Sequence, residues 1–195
     1  MLTKKIMSAD EYACGPNLTK RAPPMAVAGD GMFEGYASLF GIVDLGGDEV
    51  MPGAFRTSLA RRDAKHVRML WQHDPASPIG KWLSMTEDAR GLKVKGQLNL
   101  AVARAREALA LMRDGAVDGL SIGFRVKRAS KSRGGSTRKL MELDLWEVSI
   151  VTFPMLPQAR VSAVKRERAP QRVANLQPPV GDVATLMRRA AALMK

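Results

Sequence analysis

The order of apolar and polar positions changes character along the chain, and each change marks an element. From Met32 to Phe40, aromatic and small residues suit the pleated surface of a β-strand. Gly46-Gly47 marks a turn, and Pro52 opens a helix to about Arg62 with Phe55 and Leu59 on one face. Residues 66 to 73 read as a strand, and two more are predicted at Gly80 to Met85 and Leu92 to Leu98. There the period lengthens: Val102, Ala105, Leu109 and Met112 form a helical stripe, with Asn99 placed to cap it and Gly115 to end it. Strand character returns at Leu120 to Val126 and Leu140 to Thr152, flanking a loop rich in serine, glycine and cations.

Many short strands with two helices between them predict a mainly β fold with helices, a closed or nearly closed β-barrel surrounded by helices. Gly15-Pro16 and Pro23-Pro24 interrupt any element near the start. After Val164 come Pro170 and Pro178-Pro179, then a short run in which Val183, Leu186, Met187 and Ala190 share a face. The expected organisation is a flexible extension over residues 1–28, a folded domain over 29–164 and a basic tail over 165–195.

Composition narrows the classes. A chain of 195 residues with 46% hydrophobic content can fill one core. No apolar run approaches the roughly 18 residues that span a bilayer, and the first ten residues lack the apolar region of a signal peptide, so a cytoplasmic protein is expected. Cys14 is the single cysteine, and with two histidines it makes a poor zinc site; neither metal nor cofactor is expected. The net charge of +12 is unevenly spread, with +7 between Arg125 and Lys139 and +6 between Arg160 and Lys195. Such clusters attract phosphates or acidic protein surfaces, or are simply solvated; both readings stay open.

The stretch that carries candidate chemistry is Gly119-Leu120-Ser121-Ile122-Gly123-Phe124. Glycine two residues away on each side leaves room for another backbone to approach the Ser121 hydroxyl, which makes Ser121 the candidate nucleophile. A serine needs a base to take its proton and a third group to orient that base. The two histidines, His66 and His73, lie on one segment, and a run of carboxylates follows downstream at Glu142, Asp144 and Glu147. Residues two apart on a strand share a face. That places His73 with Val67, Met69 and Trp71, and Glu147 with Met141, Leu143 and Leu145, so both lie on the apolar side. A buried carboxylate needs a partner, and an imidazole is a natural one. A hydrogen-bonded core histidine and a structural ion pair with an arginine are the plainer readings, and a bulge would reverse the parity. An α/β-hydrolase sheet is disfavoured, because Ser121 runs on into Phe124-Arg125-Val126-Lys127 as a strand rather than a helix.

Five blocks in order carry a resemblance: Gly35-Tyr36-Ala37 with Phe40, Pro52-Gly53-Ala54-Phe55, Trp71-Gln72-His73-Asp74-Pro75, Gly119 to Phe124, and Leu145 to Pro154. Together they resemble the prohead serine proteases of tailed phages, from about Gly31 to Val164. The resemblance implies a fold similar to the herpesvirus assembly proteases, and an endopeptidase that cleaves the scaffolding segment of the major capsid protein, and itself, inside the immature capsid in the host cytoplasm. On that pattern Ser121 matches the nucleophile, His73 the general base and Glu147 the acidic third member. The implied partners are the major capsid protein and its scaffolding segment, with self-association allowed, no membrane, and nucleic acid not required. A catalytically inactive capsid scaffold and a basic nucleic-acid-binding head protein are the other classes the sequence leaves open.

Overall fold

In the computed structural model, which describes residues 30–131 and 137–162, eight strands belong to one curled sheet. They are β1 (Met32–Leu39), β2 (Asp48–Val50), β3 (Arg68–Trp71), β4 (Asp74–Glu87), β5 (Gly91–Leu98), β6 (Gly119–Lys131), β7 (Arg138–Val151) and β8 (Val161–Ser162). Two α-helices join them, α1 (Arg56–Arg61) and α2 (Ala103–Arg113), with a 3-10 turn at Ala64–His66. The expected extension, the basic tail beyond 165 and the centre of the loop before β7 lie outside the described residues.

The strand order is β2-β7-β3-β4-β5-β1-β8, with β6 on the other side of β7. β2 and β3 run parallel to β7, and β6 runs antiparallel to it. The sheet curls until the start of β6 meets the segment before β8. There Gly119 bridges Arg160, the Leu120 N–H donates to the Ala159 carbonyl at 2.8 Å, and the Val161 N–H donates to the Asp118 carbonyl at 2.9 Å. The mainly β character is as expected. The closed or nearly closed barrel surrounded by helices is not shown: a single bridge joins the start of β6 to Arg160, and the α-helices among the described residues have only six and eleven residues.

The sheet encloses its apolar side chains. Phe33 and Trp82 meet edge to face at 5.5 Å, each 1% exposed, and Ile79, Leu92, Leu120, Leu143, Leu145 and Ile150 pack with them. Burial of these side chains at roughly 1.5–3 kcal/mol each is the main stabilising term. α2 buries Ala105, Leu109 and Met112 as the stripe predicts, and Gly115, with φ 73°, ends it. Its N-cap is Val102; Asn99 acts earlier, accepting the Ala101 N–H at 3.1 Å. α1 begins at Arg56 rather than Pro52, because Gly53 has φ 87°, which no helical residue adopts, and Phe55 becomes the cap.

α1 has a second task. Along one edge of β7, residues 138–140 pair with β2 and 147–150 with β3, which leaves the middle without a strand. α1 and the turn before it fill that gap: the Ala54 carbonyl accepts the Leu143 N–H at 2.8 Å, and the buried Ser58 hydroxyl accepts the Leu145 N–H at 2.9 Å. Much of the expected basic loop is itself strand. Arg138 is paired through two nitrogens with Asp48 at 2.7 and 2.6 Å, and Lys139 lies 3.9 Å from Glu49.

Candidate active site

His73 does not lie on a strand. β3 ends at Trp71 and β4 starts at Asp74, so Gln72 and His73 form a two-residue turn, with φ 52° and 59°. Positive φ at both central residues is the type I′ pattern, which suits the twist of the two strands it joins. The strand parity read for this segment therefore fails: Met69 and Leu70 are both buried, and the register shifts between them. What points the imidazole is the turn.

Glu147 also leaves its predicted face. Phe124 pairs with Leu145 but Gly123 pairs with Glu147, so Trp146 is an extra residue in β7 and the alternation flips there. Leu145 faces the core before the bulge, Val148 and Ile150 after it, all 0% exposed. Glu147 thus stands on the opposite face, its side chain 14% exposed.

The two displacements bring the residues together. The His73 Nδ1 lies 2.6 Å from Glu147 Oε1. The second carboxylate oxygen, Oε2, accepts the Ser149 hydroxyl at 2.5 Å, and the same hydroxyl oxygen accepts the His73 backbone N–H at 3.2 Å. Ser149 pairs directly with Ser121 on β6, and residues opposite each other in an antiparallel ladder share a face. Ser121, Glu147 and Ser149 therefore line one face, and the imidazole reaches that face from the neighbouring turn. Among the described residues, no hydrogen bond joins Ser121 to His73. His66 sits apart, exposed at the end of the 3-10 turn, and Glu142 and Asp144 precede the bulge.

Gly123 explains one glycine of the Gly-x-Ser-x-Gly stretch differently from the reading above. A Cβ on Gly123 would lie 2.1 Å from Glu147 Oε1, so the glycine makes room for the carboxylate rather than for the serine. Ser121, 5% exposed, also lines a cavity of 140 Å³ with Ala37, Leu39, Ile42, Asp44 and Met155, to which His73 and Glu147 do not contribute. Burial pushes the Asp44 carboxyl above the usual range, although it accepts the Gly46 and Asp48 N–H groups. No cluster of three or more metal-ligating side chains occurs among the described residues, and no helix there is long and apolar enough to cross a membrane.

Two residues of the site escape the sequence reading. Ser149 could have been found from period two after Glu147. Gln72 binds the turn to the end of β7: its N–H donates to the Ile150 carbonyl at 3.0 Å, its Nε2 to Thr152 Oγ1 at 2.8 Å, and its Oε1 accepts the Thr152 N–H at 3.3 Å. Nothing in the local sequence announces that clamp.

A serine on the sheet face that also carries a carboxylate-bound imidazole is compatible with a serine hydrolase, and similarity to known proteins narrows the class. Residues 19–172 match the caudovirus prohead serine protease family, and the chain belongs to that family. It is 40% identical over 137 residues to the prohead protease of Enterobacteria phage HK97, covering 69% of this chain and 60% of that protein. It is 30% identical over 112 residues to the prohead protease of Escherichia phage T5, covering 57% and 52%. The alignments thus span little more than half of these relatives. Among solved structures, the bacteriophage T4 capsid assembly protease superposes with a TM-score of 0.51 at 12% identity, covering 62% of this chain and 80% of that one. A KSHV protease bound to a hexapeptide phosphonate inhibitor gives a TM-score of 0.51 at 13% identity, covering 83% and 76%. At such identities these structures establish a shared fold.

Proposed function

We propose that the protein is a serine endopeptidase that cleaves the scaffolding segment of the major capsid protein, and itself, during prohead maturation. The observation that carries this reading is the 2.6 Å contact between His73 Nδ1 and Glu147 Oε1 on the face that holds Ser121. An ionised carboxylate only accepts, so the shared proton sits on Nδ1 and leaves the Nε2 lone pair free to act as a base. His73 then takes the Ser121 proton as the hydroxyl oxygen attacks a peptide carbonyl. It returns that proton to the leaving amine, while Glu147 stabilises the imidazolium. Water, deprotonated by the same imidazole, hydrolyses the acyl-enzyme and frees Ser121. Family membership supports the capsid protein as substrate and the interior of the prohead as the place of action.

Co-expression with the capsid protein carrying its scaffolding segment tests the reading. The wild-type chain shortens the capsid protein and loses part of residues 165–195 by intact mass, whereas Ser121→Ala leaves both at full length. Undiminished capsid shortening by Ser121→Ala sinks the proposal. A full-length active enzyme would retain the protease and remove the self-processing.

A further inference from the structure

The Ser149 hydroxyl occupies the centre of the site without being one of the three reacting groups. Ser149 is 0% exposed and is laddered on both sides, to Leu70 of β3 and to Ser121 of β6. A hydroxyl has one proton to give. The His73 backbone N–H can only donate, so Ser149 Oγ accepts there, at 3.2 Å, and its own proton goes to Glu147 Oε2, at 2.5 Å. That leaves Oε1 for His73 Nδ1, at 2.6 Å. One side chain therefore fixes both the rotation of the carboxylate and the backbone of the turn that carries the imidazole.

We infer that Ser149 is a positioning residue of this site, whose single hydroxyl locks Glu147 and His73 in mutual register. The inference rests on the protease reading for its effect on rate, but its geometric content does not. Without the hydroxyl, Glu147 loses the partner of Oε2 and can rotate, and the His73 N–H loses its acceptor. The imidazole then swings relative to Ser121, a misplacement of the kind that costs a reaction about 100-fold.

Two measurements test it, and they separate its failure from that of the protease reading. The first needs no activity: in the Ser121→Ala protein, the proton between His73 Nδ1 and Glu147 gives a far-downfield NMR resonance, assigned by its loss in Ser121→Ala/His73→Ala. We expect the resonance to vanish in Ser121→Ala/Ser149→Ala and to return in Ser121→Ala/Ser149→Thr, which restores a hydroxyl. Its persistence in the Ser149→Ala background overturns the inference. The second is kinetic: Ser149→Ala lowers kcat about 10- to 100-fold with KM within about twofold, and Ser149→Thr recovers part of the loss. Unchanged kcat, or a loss that follows the unfolded fraction in the thermal melt, also overturns it. Retained cleavage by Ser121→Ala would instead remove the protease reading and leave the NMR result standing.

Discussion

Glu147 fits only because position 123 has no side chain: an added Cβ would sit 2.1 Å from Oε1, 2.7 Å from Cδ and 2.8 Å from Cγ. Gly123→Ala must therefore push the carboxylate off the imidazole. We expect a folded protein by circular dichroism with kcat/KM reduced about 100-fold, and near-normal turnover would show that Glu147 does not orient His73. The turn imposes a second demand on single residues. His73 and Gln72 hold positive φ without being glycine, a conformation that costs about 1–3 kcal/mol each and persists only where surroundings enforce it. Here the enforcement comes from the Gln72 clamp onto Ile150 and Thr152 and from the Ser149 hydroxyl. His73→Ala is expected to abolish cleavage and His66→Ala, at an exposed position, to spare it; equal loss in a cleavage assay would mean the wrong imidazole has been assigned.

Among elements, α1 matters more than its six residues suggest, because it completes the edge of β7 just before the Trp146 bulge that turns Glu147 outward. Ser58→Ala strands the buried Leu145 N–H, for which we expect a loss of about 1–3 kcal/mol in denaturant unfolding. A negligible loss would mean that water replaces the hydroxyl. Elements were the part of the structure best legible in the sequence. β1, β5, α2, β6 and β7 follow from period and turn residues; His73 stood out as one of only two histidines, Ser121 by its flanking glycines, and Glu147 by a strand parity that the structure reverses. The faces were not legible. Parity assumed unbroken strands, whereas Trp146 inserts a bulge and residues 72–73 form a turn without the Asn or Gly that such turns favour. Both departures fall at the site, where tertiary hydrogen bonds override local preference.

On the scale of the whole molecule, the curled sheet is held at its seam by the segment around Arg160. The Arg160 carbonyl accepts the Tyr36 N–H at 3.1 Å, its Nε donates to the Pro157 carbonyl at 2.7 Å, and its guanidinium pairs with Asp118. A chain ending at residue 164 keeps these contacts and should retain its melting temperature and activity; a chain ending at 157 loses them and should not fold cooperatively. An unstable 164-residue chain would show that the tail belongs to the folded domain. The basic cluster is also less available than its charge implies, since Asp48 and Glu49 face Arg138 and Lys139. In the proposed function, Ser121 is activated by a His73 imidazole that Glu147 holds. A fluorophosphonate phosphonylates a serine hydroxyl, with loss of fluoride, only where a base can take the hydroxyl proton, so labelling followed by peptide mapping addresses that activation directly. We predict one adduct, on Ser121, present in His66→Ala and absent from Ser121→Ala and His73→Ala. An adduct on another serine, or equal labelling without His73, would contradict the account.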